Sequence, residues 1–204
     1  MFKKILKWVL ILAGIAFIGY ISVLLMIMSA FGAFDRDYTK EELIEHYDLK
    51  RAEMHALKSY YQSIVPAHHT VKIEFTDNQK LNIFHISTLD EVTGKTLRDN
   101  NWDLEIESLK VDSMITALGW SRKTLKTLKA KLDEAGCISV TNSTPFNIGF
   151  QRSGMGMYFY NLFDEPIPDS LRANYNDSCT YVLYTDQVVL EYGGGAVGPQ
   201  CFPW

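Results

Sequence analysis

Metal binding, nucleotide binding and nucleophilic catalysis each need a residue pattern, and this sequence lacks all three. Its five histidines are His46, His55, His68, His69 and His85. His46 and His55 stand nine apart on one predicted helix, not the four apart that aims two ligands at one metal. A site from His69 and His85 is the remaining option, and no motif anchors it. Gly149-Phe150-Gln151-Arg152-Ser153-Gly154 is followed by Met155-Gly156 where a phosphate-cradling loop needs Lys and Ser or Thr. Gln151 stands two before Ser153, where a nucleophile elbow needs glycine. No cofactor and no metal site is expected. Enzymatic activity is left open only for a hydrolase built from the unpatterned set Ser153, His85 and Asp164.

The stretch Leu190–Trp204, LEYGGGAVGPQCFPW, spells G-x-G-x-x-G with Gly193, Gly195 and Gly198. A dinucleotide turn opens a helix that holds the pyrophosphate and has an acid some 20 positions on. Pro199 follows Gly198, and too few residues remain for either. These glycines are expected to let a tail turn tightly against a sheet.

Charge is missing over 27 residues, Trp8 to Phe34. At about 1.5 Å per helical residue the run covers roughly 40 Å, enough for a hydrocarbon core of about 30 Å. A cleavable signal sequence usually has a shorter apolar region, of about 7–15 residues; Ala30-Phe31-Gly32 is the small-residue site that removal would use. Lys3, Lys4 and Lys7 precede the run, whereas Arg36 and Lys40 follow it among Asp35, Asp37, Glu41 and Glu42. The positive-inside bias places the N-terminus in the cytoplasm and the rest outside. The expected organisation is residues 1–7 cytoplasmic, 8–34 a transmembrane anchor in contact with the lipid bilayer, and 35–204 one extracytoplasmic domain.

Positive charge is also scarce. The chain carries 20 Lys+Arg against 24 Asp+Glu, a net charge of −4; without the three leading lysines the rest stands at −7. Such a domain is not built to embrace nucleic acid as a whole.

What is present reads as a fold. Thr39-Lys40-Glu41-Glu42 is a capping box, and Leu43, Tyr47, Met54, Leu57, Tyr61 and Ile64 recur at helical spacing up to Pro66, predicting a helix over 40–64. Alternation over 71–75 and the return over 81–86 predict two strands; residues 87–101 are polar and predict a loop, and 102–106 a third strand. Two helices are expected over 110–118 and 122–135, with Gly119 between them, Ser121 capping the second and Gly136 closing it. A buried strand over 137–140 and two hairpins, 146–163 and 179–192, complete the chain. The second strand of the first hairpin is apolar on both faces and is expected to be covered on both. The class is α+β, with an N-terminal transmembrane helix, a largely antiparallel sheet and three main helices.

Cysteine usage allows two readings. Symmetry of the last hairpin about Thr185-Asp186 puts Cys179 opposite Tyr192, and a tail turning at the glycines brings Cys201 back to Cys179; such a bridge would stabilise by roughly 3 kcal/mol. The alternative is three buried free thiols, and Cys137 is expected buried in either case. Asn142-Ser143-Thr144 and Asn176-Asp177-Ser178 are glycosylation sequons that matter only in a eukaryotic secretory route.

Residues 112–163 run helix, Leu-Gly-Trp-Ser turn, basic helix, Ala-Gly-Cys-Ile and hairpin. This resembles a winged helix-turn-helix unit. The resemblance implies nucleic-acid contacts from Arg122, Lys123 and Lys126 on the recognition helix and Arg152 at the wing tip, in a cytoplasmic domain, so it opposes the charge bias. The favoured expectation is a binding or structural role in the cell envelope toward an unknown protein or ligand. Tyr158, Tyr160, Tyr175, Tyr181, Tyr184 and Tyr192 are more than a small sheet readily buries, and exposed tyrosines suit contact surfaces.

Overall fold

The computed structural model describes residues 2–30, 32, 34–90, 92–194 and 198–203. Gly195 of the glycine stretch and Phe31 of the small-residue site lie outside the described residues.

Residues 8–30 of the charge-free run lie in helix α1, Phe2–Ala30, which begins ahead of the run and includes Lys3, Lys4 and Lys7. Its Leu6–Ser29 portion has mean hydropathy 2.6 and none of it is buried against the rest of the chain, so this one helix is long and apolar enough to cross a membrane. Helix α2, Lys40–Ile64, begins at the capping box: the Thr39 hydroxyl accepts from the Glu42 amide, and the Glu42 carboxylate accepts from the Thr39 amide. Its buried stripe is Leu43, Tyr47, Met54, Leu57, Lys58 and Tyr61. Full burial of a Leu or Met side chain contributes about 1.5–3 kcal/mol, so packing sustains this helix more than its propensity does.

The sheet has eight strands: β1 His69–Phe75, β2 Lys80–Leu89, β3 Thr96–Glu105, β4 Ser139–Thr141, β5 Phe146–Ser153, β6 Gly156–Leu162, β7 Tyr181–Thr185 and β8 Val188–Gly193. Their order is β3-β2-β1-β4-β5-β6-β8-β7, every neighbouring pair antiparallel. The fold is therefore α+β on an antiparallel sheet. One registered row, Phe84–Ile73–Val140–Ile148–Tyr160–Leu190–Val182, crosses seven strands on the face toward the helices. Helices α3, Leu109–Ala117, and α4, Arg122–Glu134, add Val111, Met114, Leu125, Leu128 and Leu132 to the same core. Trp120, in the turn between them, stacks on Phe84 and donates its indole N–H to the Ile64 carbonyl at 2.7 Å, closing the end of α2. After β6 come the short helix α5, Asp169–Arg172, and a single 3-10 turn.

Two expectations need correction. Residues 87–101 are not a loop: β2 runs on to Leu89 and β3 starts at Thr96. Strand β3 is an edge strand with most of its residues exposed, so neither face imposed an apolar alternation that the sequence could display. The last hairpin is also out of register by one residue. Tyr181 pairs with Glu191 and the Tyr192 amide donates to the Thr180 carbonyl, because the turn is Asp186-Gln187, with Thr185 opposite Val188, and the irregularity between Leu183 and Thr185 takes back one of the two residues of displacement. Strand β6 is buried along its whole length.

Candidate functional site

The sheet face away from α2 is crossed by a second row, Trp102–Ile83–Glu74–Ser139–Gly149–Phe159–Glu191–Tyr181. At its centre the Glu74 carboxylate is buried and held bidentately by Arg152, at 2.6 and 2.9 Å, with a third bond from the Asn82 amide at 2.6 Å. Lys72, on the same face of β1, lies 5.9 Å above the Phe159 ring; desolvation lowers its pKa, partly opposed by Glu74. His85 is edge-on to Trp102 at 4.6 Å, and its buried Nε2 has no hydrogen-bond partner among the described residues. Burial, then the Lys72 ammonium, lower its pKa.

Residues 35–38, between α1 and α2, are sewn to the β5–β6 turn. The Asp35 carboxylate accepts from the Gly154 amide at 3.0 Å, the Ser153 hydroxyl donates to Asp37, and the Tyr38 amide donates to the Tyr158 hydroxyl at 3.0 Å. The segment leading into α2 is thus joined to the sheet by several hydrogen bonds.

Beside the same end of β6, where Met157 pairs with Gly193, the tail folds back. The Gly194 amide donates to the Gly198 carbonyl, the Gln200 amide to Tyr192 and the Phe202 amide to Cys179. A disulfide joins Cys179 to Cys201, and the Phe202 ring packs on Tyr158 and Tyr192. Gly193 and Gly194 take φ of +152° and +86°, and a Cβ on Gly193 would meet the Gly198 carbonyl oxygen at 2.8 Å. Only glycine makes this reversal without strain. Cys137 is buried and free, its thiol pKa pushed well up by desolvation.

A cavity of about 290 Å³ opens between α2 and the 163–164 and 185–188 segments. Arg51, His55 and Lys58 reach it from one stripe of α2. Lys58 is buried and its ammonium lies 2.7 Å from the exposed Asp164 carboxylate. His55 lies 3.3 Å from the Tyr47 hydroxyl; its pKa is lowered by burial and then by Arg51 and Lys58.

No family model, no curated protein and no solved structure matches this chain. Its own geometry has to carry any reading of function.

The residues singled out in the sequence fall in separate places. Arg122 is clamped at the start of α4, 2.8 Å from Glu107, 2.7 Å from Asp112 and 2.6 Å from the Ile106 carbonyl, whereas Lys123 and Lys126 are exposed. Arg152 lies on β5, bound to Glu74. The hydrolase trio is not assembled. Ser153 bonds Asp37, His85 faces Trp102, and Asp164 follows the far end of β6, a strand of 7 residues, from Ser153. At about 3.3 Å per residue those ends stand roughly 20 Å apart. The Asn142 side chain accepts from the Val71 amide and donates to the His69 carbonyl, whereas Asn176 is exposed. Of the six tyrosines, Tyr158, Tyr160 and Tyr192 are core residues, and Tyr175, Tyr181 and Tyr184 are half-buried. The cavity beside α2 was missed in the sequence. Its only signal was Lys58, a cation three residues after His55 in an otherwise apolar stripe.

Proposed function

We propose that this chain is a single-pass membrane protein, anchored through residues 8–34, whose domain 35–204 faces an oxidising extracytoplasmic space and there binds a protein or small ligand of the envelope. The observation that carries the reading is the Cys179–Cys201 bridge: protein disulfides persist in oxidising compartments and are rare in the cytosol. The lysines before the span and the absence of burial along Leu6–Ser29 agree with it. The half-buried tyrosines Tyr175, Tyr181 and Tyr184 supply contact chemistry. In intact cells, an impermeant protease should reach sites beyond residue 35, and non-reducing mass spectrometry should recover the bridge. Protection of those sites until lysis would overturn the orientation.

A second reading follows from the resemblance. Helices α3 and α4 followed by β4 and the β5–β6 hairpin keep the element order of a winged helix-turn-helix unit, with Lys123 and Lys126 exposed on α4. Salt-dependent duplex binding, weakened by Lys123→Ala or Lys126→Ala, would support it; no binding at low salt would remove it.

A further inference from the structure

We propose that the cavity lined by Arg51, His55 and Lys58 is a binding site for a small ligand carrying an oxyanion, a phosphate or a carboxylate. Three groups able to carry positive charge converge from one helix on a cavity near the lower end of the size range of ligand sites. Lys58 is the anchor. It is the one charged residue in the buried stripe of α2, with only 7% of its surface exposed. Burying an ammonium is costly unless it is paired and its N–H donors are satisfied. Its carboxylate partner, Asp164, comes from a surface segment and is 72% exposed. Asp164 takes one of three N–H donors. Arg51, one turn of helix before His55, offers a planar donor fork suited to phosphate or carboxylate. Gln62, Ser59 and Gln187 line the remaining wall with neutral hydrogen-bonding groups.

The exposed Asp164 then acts as a displaceable counter-ion. When an oxyanion enters, it takes over Lys58, and Asp164 turns out to solvent. A purely structural Lys58–Asp164 pair has no such exchange. The site does not depend on which side of the membrane the domain occupies. The oxyanion can belong to a soluble molecule or to a lipid headgroup.

The test uses the full chain in phosphatidylcholine nanodiscs, titrated with inorganic phosphate against sodium chloride at matched ionic strength. The readouts are thermal unfolding and the His55 ring signals by NMR. A second arm replaces part of the lipid with phosphatidylglycerol and omits phosphate. A shift of the His55 signals and a rise in Tm in either arm supports the site, and the arm identifies the source. Asp164→Asn removes the competing carboxylate and should tighten phosphate binding about tenfold, the effect of one modest charge interaction. Lys58→Met should abolish the response; if that variant does not fold, exposed Arg51→Gln should weaken it at least several-fold. No response in either arm, or an undiminished response in the Lys58 or Arg51 variant, overturns the proposal.

Discussion

The Tyr160 hydroxyl stands 2.9 Å from His46 Nδ1 and donates to the Leu43 carbonyl at 3.1 Å. Because the hydroxyl hydrogen is committed to Leu43, it accepts from His46, which fixes the proton on Nδ1. Sheet strand β6 is thereby tied to the first turns of α2. Desolvation, and then Lys50, depress the His46 pKa; burial likewise leads the lowering at His55 and His85. In the unfolded chain these imidazoles protonate near pH 6.5. Between that value and their lower folded values the unfolded state binds more protons, so stability is full above about pH 6.5 and falls as pH drops through the folded pKa values. Tm measured from pH 8 to 5 should decline below 6.5, and His46→Gln should make that decline shallower. An unchanged slope would show that His46 does not titrate with folding.

Tyr160→Phe removes the hydroxyl and leaves the Leu43 carbonyl and His46 without their shared partner. A buried group so orphaned costs about 1–3 kcal/mol. Urea unfolding should show that loss with an unchanged m value.

The tail is held by the bridge and by Phe202. Cys179 and Cys201 are separated by 22 positions, for which the chain-entropy model gives roughly 3 kcal/mol. Cys201→Ser and chemical reduction of the native chain should lower stability by the same amount. If reduction has no effect while Cys201→Ser does, the loss comes from packing around Phe202.

The Glu74–Arg152 pair predicts an asymmetry. Arg152→Ala strands a buried carboxylate, with Asn82 its remaining partner, and should cost about 2–3 kcal/mol, somewhat less than a fully buried pair because Arg152 is partly exposed. The double variant Arg152→Met with Glu74→Leu removes both charges and should recover most of the loss. Equal losses in the single and double variants would mean that shape, not charge, is what the pair supplies.

Periodic segments were legible in the sequence. The capping box at Thr39, the apolar stripe of α2, the Ser121 and Gly136 ends of α4 and the two-sided strand β6 all follow from local pattern, because burial had selected the residues that show it. Strand β3 was illegible for the opposite reason: Arg98, Asp99, Asn100 and Asn101 sit on a solvated edge, where pairing with β2 alone fixes the conformation. The cavity beside α2 was equally hidden. It needs Asp164 and Gln187, over a hundred residues away in sequence, to lie against Lys58, and no local spacing encodes that.

Gly119 and Gly136 offer a controlled comparison. Their φ values are +67° and +65°, so alanine at either meets the same left-handed penalty of about 1–2 kcal/mol. Their surroundings differ. A Cβ at Gly119 has no atom within 4 Å, whereas one at Gly136 falls 2.6 Å from His46 Nε2 and must push the ring away. That ring packs against Phe150 at 4.4 Å and bonds Tyr160, so it has little room to retreat. Gly136→Ala should therefore cost clearly more than Gly119→Ala in urea unfolding. Adding His46→Ala to Gly136→Ala should cost less than the two separate losses combined, since the clash is gone. Equal costs at the two glycines, or strictly additive losses in the double variant, would mean that His46 does not rest on Gly136.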